Sequence, residues 1–528
     1  VTLSDQSEVI AFLSRAEAFG VSRPPRRCET HASIVFIAGD RAYKLKRAVR
    51  YPYLDFSTPE RRHAFCEAEV RINRRTAPML YRGVVAVTRD AGGRLCVGGA
   101  GEPVDWLVEM ARFDDDALFA AMADRSLLTR EVMEDLADHI AAFHRDAEPR
   151  LLAGGSAALA AVIANNAESL ATTDLDPGQV GRLIERWRAS LTKVAARLEQ
   201  RREQGLVRRC HGDLHLRNIV LIDGRATLFD AIEFDDVFAE IDVLYDLAFL
   251  LMDLRVRGRD DLASLVLNRY LDNAGGSDGL AALPLFLSLR AGVRAIVDAT
   301  AARAHSDPAE ARRLLAGAQR YLDWAEAALA PVAPRLVAVG GLSGSGKSKL
   351  ARALAPGLGS GCGARVVRTD AIRKRLAGVP LTARLGADGY SREMTQRTYL
   401  GLYDECAAAL AAGCAVIADA VFAAPEERAA VGALAACHEA PFAGLWLEAP
   451  MAVLEERVKG RRGDISDADL AVVRLQADYD LGEIDWARID SSGPAEATLA
   501  AARRKLQAAL AAAGEARARP SLSGAASP

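Results

Sequence analysis

A chain of 528 residues, half of them hydrophobic and 26% charged, is long enough for two or three domains that each bury a core. Its formal net charge of −3 argues against a general nucleic-acid or membrane-surface binder. The eight cysteines form no Cys-x-x-Cys pair and no zinc spacing, and no stretch reaches the roughly 18 uninterrupted apolar residues of a membrane span. The first residues show no basic region followed by an apolar core, so a cytoplasmic protein with reduced thiols and no membrane partner is expected.

Residues 5–20 carry apolar side chains at helical spacing, and Ser22-Arg-Pro-Pro-Arg-Arg27 reads as an irregular linker. Ile34–Ile37 and Ala42–Lys46 flank the turn Ala38-Gly-Asp-Arg41, which predicts a hairpin with Lys44 and Lys46 on one strand face. Ser57-Thr-Pro-Glu60 starts a helix that carries Glu67 and Glu69. Val84–Thr88 and Val104–Met110 read as strands, Asp114–Asp116 as a solvated loop or helix start. Residues 117–207 follow a helical pattern broken by a loop at 172–178, and His139 and His144 read as surface or packing residues.

His211-Gly-Asp-Leu-His-Leu-Arg-Asn218 comes next, followed by Ile219–Ile222, the turn Asp223-Gly224, and a second strand running to Asp230. Phosphoryl transfer needs one Asp to take the acceptor proton, and an Asn and a second Asp to hold magnesium. Asp213, Asn218 and Asp230 occur in that order, and the Asp-to-Asn spacing matches the protein-kinase catalytic loop. These residues, with Ile232-Glu233 and Tyr245-Asp-Leu-Ala248, resemble the aminoglycoside phosphotransferase and choline kinase group. The resemblance implies a bilobal protein-kinase-like fold that binds ATP and Mg2+. Lys44 or Lys46 would contact the phosphates, and Glu67, or alternatively Glu69, would pair with that lysine. The hinge reached through Glu109 and Met110 would contact the adenine, and Asp246 would brace the catalytic loop. Glu233 could bind metal or substrate. The absence of Gly-x-Gly-x-x-Gly, Asp-Phe-Gly and Ala-Pro-Glu argues against a protein kinase.

Helical pattern returns over 243–328, and Ala330-Pro-Val-Ala-Pro-Arg335 is a short stiff linker. The apolar strand Leu336–Val339 then enters Gly341-Leu-Ser343-Gly344-Ser345-Gly346-Lys347-Ser348, ahead of a helix. In that setting the glycines let backbone amides wrap phosphates, Lys347 reaches the terminal phosphates and Ser348 holds magnesium. Further strands end at Asp370, Asp419 and Glu448, and Asp419 is the candidate to position magnesium through water. The pattern is similar to P-loop kinases related to gluconate kinase, zeta toxins and the polynucleotide 5′-kinase domain. That resemblance implies Asp370 as acceptor base, Arg373 near the acceptor, and Arg457, Arg461 and Arg462 as a lid over the transferring phosphate.

The expected fold is α/β: an α+β kinase-like domain over 1–330, a parallel-sheet P-loop domain over 335–512, and a disordered tail over 513–528. The whole resembles bacterial bifunctional phosphotransferase/ATP-binding proteins. The expected activity is ATP-dependent transfer to hydroxyls of small molecules such as sugars or amino sugars. One rival makes one domain a nucleotide-sensing regulator of the other. A second makes the P-loop half a polynucleotide 5′-kinase, which the net charge disfavours.

Overall fold

The computed structural model describes residues 5–518 apart from 31, 52–53, 360 and 461–464. Two compact units emerge, Val1–Leu159 with Glu199–Asp253, and Ala160–Leu198 with Leu254–Pro528.

The first unit opens with α1 (Ser7–Leu13), which buries Val9 and Leu13, and a short 3₁₀ turn in place of one longer helix. Strands β1 (Arg26–Glu29), β2 (Ser33–Ala38) and β3 (Arg41–Lys46) follow, then α2 (Pro59–Asn73), β4 (Tyr81–Arg89), β5 (Leu95–Val97) and β6 (Glu102–Ala111). They form one antiparallel sheet in the order β1-β2-β3-β6-β4-β5. Strand β1 begins inside the stretch 22–27 that the sequence reads as linker; its four residues are all exposed, so no apolar alternation marks it. Helix α2 begins as expected, with the Thr58 hydroxyl capping Arg61 N–H and proline in the first turn. Its rotation is fixed by Arg62, which makes a two-pronged pair with Asp105 of β6, both contacts at 2.8 Å and both residues buried. Gln6 donates to the same carboxylate at 2.7 Å.

Helix α3 (Arg130–Asp146) presents Met133, Leu136, Ala137, Ile140 and His144 as its buried face. Helices α4 (Gly155–Ala171) and α5 (Pro177–Glu203) span residues of both units. Strand β7 (Val207–Arg209) leads into the loop of interest, which runs into the hairpin β8 (Ile219–Ile222) and β9 (Arg225–Leu228). Strand β10 (Glu240–Asp242) pairs with β7 and feeds α6 (Val243–Val256).

The second unit contains α7 (Asp260–Ala274), α8 (Leu283–Ala304) and α9 (Pro308–Ala328), then β11 (Leu336–Gly340) and α10 (Lys347–Leu354). Next come β12 (Arg365–Arg368), α11 (Thr369–Leu376), α12 (Arg392–Ala411), β13 (Val416–Asp419), α13 (Pro425–Cys437), β14 (Phe442–Glu448), α14 (Met451–Lys459), α15 (Leu470–Ala477), β15 (Ala487–Asp490) and α16 (Ala495–Ala518). The sheet is parallel throughout, in the order β12-β13-β11-β14-β15. Its central strand β11 is wholly buried, as an apolar run in a sheet covered on both faces must be. Helix α16 continues to Ala518, six residues into the 513–528 expected as a disordered tail, and 519–528 lie outside the described residues. No described helix is long and apolar enough to cross a membrane. The eight cysteines, all among the described residues, form no disulfide, and burial pushes the thiols of Cys66, Cys362 and Cys406 up to about 12.

Removing one partner of a buried, doubly bonded charge pair leaves the other charge stranded. Asp105→Ala should therefore cost about 3–5 kcal/mol in urea denaturation. A loss near the ~0–1 kcal/mol of an exposed pair would show that Arg62 finds water instead.

Candidate active sites

Asp246, at the start of α6, organises the loop after β7. Its Oδ1 accepts from Gly212 N at 2.8 Å, and its Oδ2 accepts from His211 N and His144 Nε2, both at 3.1 Å. His144 thus has a defined bracing role. The Cys210 thiol lies close by, but the N–H groups already around Asp246 make this a hydrogen-bonded brace and not a metal cage. Gly212 has φ +86°, and a Cβ there would lie 2.9 Å from Phe238 O, which requires glycine where protein kinases carry arginine. The loop's far end is held by Asp253, whose carboxylate accepts from Leu216 N.

Asp213 is partly exposed, and its Oδ2 accepts from Asn218 Nδ2 at 2.9 Å with His215 Nε2 at 3.4 Å. That arrangement fixes the carboxylate while leaving it reachable. Because Asn218 spends its amide nitrogen on Asp213, its Oδ1 is the atom able to ligate a cation. Asp230 sits in the left-handed region at φ +61°, with its own N–H donating to the Tyr81 hydroxyl and Ala231 N–H donating to Asn73 of α2. A non-glycine residue held there is strained, and the surrounding hydrogen bonds maintain it.

Both lysines of β3 converge on one carboxylate. Lys44 Nζ lies 2.9 Å from Glu69 Oε1 and 2.6 Å from Asp230 Oδ1. Lys46 Nζ lies 2.6 Å from Glu69 Oε2 and also bonds Glu233. The expected partner Glu67 is instead exposed, with His63 Nε2 3.7 Å away, and the α2 residue that meets the lysines is Glu69. Lys46 is almost wholly buried, whereas Lys44 reaches Asp230 at the more exposed end of the cluster. Burial works against both ammonium ions, but Asp230 and Glu69 carry Lys44 well above its ordinary value, and Glu233 and Glu69 raise Lys46. For the carboxylates, burial would raise Glu69 and Asp230, yet the lysines hold both below their usual range. Glu233 is different, since burial wins there and raises it despite Lys46. Glu109 pairs with Arg41 across β3 and β6, and Met110 belongs to the buried cluster that holds Tyr81 and Val108.

In the second unit, Gly341 has φ +135°, and a Cβ there would lie 2.5 Å from Leu447 O. Gln476 Oε1 accepts from Ser343 N at 2.8 Å, which ties α15 to the loop. Lys347 Nζ folds back to Leu342 O at 3.0 Å. The Asp419 carboxylate is buried, hydrogen-bonded by Ser348 and faced by Lys347, with Arg368 Nε at 3.5 Å. Burial raises Asp419 above the usual carboxylate value in spite of those cations. Asp419 Oδ2 and Ser345 Oγ are buried without a hydrogen bond, and such orphaned oxygens suit a magnesium-bound phosphate. Asp370 opens α11, partly buried, with Tyr390 and Asp419 as charged or ionisable neighbours.

Arg373 lies under the Tyr390 ring and donates to Gly389 O and the Thr395 hydroxyl. Arg457 departs from its expected lid role, because its guanidinium is bound to the carbonyls of Ser491, Ser492 and Gly493. Arg461 and Arg462 lie outside the described residues. The sequence reading missed Arg368; the only signal for it was a basic residue ending a buried strand beside Asp370.

A family model described as "Phosphotransferase enzyme family" matches residues 49–283, and one described as "AAA domain" matches residues 336–479. Uncharacterised proteins of Mycobacterium tuberculosis and Mycobacterium bovis are each 32% identical over 484 residues, covering 89% of this chain and 92% of theirs. A choline/ethanolamine kinase family protein from Mesorhizobium loti is similar at 14% identity, over 61% of this chain and 98% of its own, with a TM-score of 0.35. A gluconokinase from Sinorhizobium meliloti is similar at 23% identity, over 35% of this chain and 93% of its own, with a TM-score of 0.23.

Three substitutions separate the charges on β3 and α2. Lys44→Met should lower turnover by at least about a hundredfold, the scale of losing one preorganised electrostatic contact. Lys46→Met should instead destabilise by about 3–5 kcal/mol by stranding Glu233, and Glu67→Gln should stay within about 0.5 kcal/mol of wild type. Equal effects of the two lysine changes on turnover and melting would contradict this assignment. His211 gives a pH test. Burial depresses it and outweighs Asp246, Asp213 and the Nε2–H bond to Phe229 O, which all favour the protonated ring, so the folded state binds its proton more weakly than the unfolded chain does. That contribution is complete above about pH 6.5 and is lost as pH falls below it. His211→Gln should flatten the fall in melting temperature there, and an unchanged slope would contradict the reading.

Matching domains over both halves and relatives aligned along nearly the whole chain place it in one family with those mycobacterial proteins: a kinase acting on hydroxyl acceptors, with an aminoglycoside-phosphotransferase-type domain followed by a P-loop kinase domain.

Proposed function

We propose that the chain carries two separate phosphotransfer sites, each using ATP and Mg2+ and each passing the γ-phosphate to a hydroxyl of a small molecule such as a sugar or amino sugar. The observation that carries this reading is that each half pairs a lysine and a metal-type carboxylate with a second, reachable Asp. Those sets are Lys44, Asp230 and Asp213 in one half, and Lys347, Asp419 and Asp370 in the other.

ATP would supply the phosphoryl group, and its magnesium ion would offset the negative charge in transfer. In the first site, Asn218 Oδ1 and Asp230 are the residues that would hold the ion, and Lys44 takes the phosphate charge. Asp213 receives the acceptor proton, its orientation set by Asn218 and His215. In the second, the loop amides and Lys347 take the phosphates, Ser348 and Asp419 would hold the ion, and Asp370 receives the proton. Asp213 stands on the loop after β7 and Asp370 in the first turn of α11, in different units, so two acceptors are expected. The net charge keeps small molecules ahead of nucleic-acid ends as acceptors.

Acceptor-stimulated ATP consumption by wild type, Asp213→Asn and Lys347→Ala tests this against sugars, amino sugars, nucleosides and oligonucleotides. The expected result is two separable rates, each abolished by one substitution and unaffected by the other. A single rate lost with both, or none with any acceptor, would favour one half as a regulator and overturn the proposal.

A further inference from the structure

Strand β12 is an edge of the parallel sheet, and such an edge presents a row of backbone groups that need partners. Its inner side is paired with β13, and Arg365 N donates to Ala415 O at 2.9 Å. Its outer side is met by one side chain from α7. Asn268 Oδ1 accepts from Val366 N at 2.7 Å, and Asn268 Nδ2 donates to Ala364 O at 3.1 Å. A carboxamide carries the same acceptor and donor as a peptide group, so Asn268 stands in for one residue of a sixth strand. The residue between those two contacts, Arg365, is buried and donates to Asp272 Oδ1 at 2.8 Å and Glu405 Oε2 at 3.1 Å. Arg375 of α11 completes the cluster, donating to Asp272 O at 3.0 Å and pairing with Glu405.

Asp370 lies at the joint between β12 and α11. Both elements are tied to one helix, β12 through Asn268 and Asp272, and α11 through Asp272 and Arg375. We infer that α7, which precedes the Pro-rich linker and carries no recognisable motif, is a working part of the P-loop kinase and sets the position of Asp370. This rests on the reading of Asp370 as the acceptor base. Misplacing a reacting group slows the chemical step and leaves nucleotide binding intact, because the phosphate loop follows a different strand, β11.

The test uses full-length Asn268→Ala and the milder Asn268→Asp, which keeps an acceptor for Val366 N and loses the donor to Ala364 O. Two quantities are read: the turnover that Lys347→Ala abolishes, and hydrogen exchange of peptides spanning 364–370 and 336–340. The expected result for Asn268→Ala is at least tenfold lower kcat with the nucleotide KM within twofold, and at least tenfold faster exchange in 364–370 with 336–340 unchanged. Asn268→Asp should fall between Asn268→Ala and wild type. Faster exchange with unchanged kcat would overturn the positioning role, and unchanged exchange would overturn the clamp itself. If Asn268→Ala also loses the Asp213-dependent turnover, it has misfolded, and Asn268→Asp decides. If Lys347→Ala abolishes no turnover, the phosphotransfer reading has failed, and the exchange comparison still upholds or overturns the clamp.

Discussion

A lysine ammonium can be buried only with carboxylates beside it, and the first site is built around that requirement. Lys44 and Lys46 sit two residues apart on one face of β3, and Glu69 divides its two oxygens between them. Each lysine then needs a second anion, which Asp230 supplies to one and Glu233 to the other. The arrangement fixes three elements at once: the strand that bears the lysines, the helix that bears Glu69, and the segment after the catalytic hairpin. Elsewhere the fold serves this convergence. Arg62 and Asp105 set the rotation of α2, and Asn73 from that helix reaches Ala231 N–H beside Asp230. The charge network is asymmetric, with Lys46 and Glu233 sealed in and Lys44 and Asp230 at the accessible end.

The second site meets the same electrostatic demand with backbone. Its glycine loop offers peptide N–H groups at the start of α10, and only Lys347 adds a full charge from within the loop. The cost of burial falls on Asp419, whose carboxyl stays raised even with Ser348, Lys347 and Arg368 around it. A divalent ion is the natural counter-charge for that group.

The two motifs were legible because their spacing is local: eight consecutive residues at His211–Asn218 that run into a recognisable hairpin, and eight at Gly341–Ser348 that join a recognisable strand to a helix. The α2 glutamate was legible in principle. Arg62, Cys66, Glu69, Val70 and Asn73 share one helical face that excludes Glu67, and the two apolar or small members of that face pointed to it. Arg457 could not be read, since its partners lie more than thirty residues away in a turn with no signature. Strands β1 and β15 escaped for a different reason: both are short edges with charged residues, so neither carries the alternation by which a half-buried strand is recognised. Asn268 and Asp272 were equally silent, because an ordinary helix face gives no sign that it closes a sheet edge.

The central claim is that one chain holds two complete nucleotide sites. Calorimetric titration of the full-length protein with magnesium and a non-hydrolysable ATP analogue tests it most directly, because it counts sites without an acceptor. The account predicts two molecules bound per chain, falling to one with Lys44→Met and to a different one with Lys347→Ala. A single site in the wild type, lost with only one of these substitutions, would contradict it.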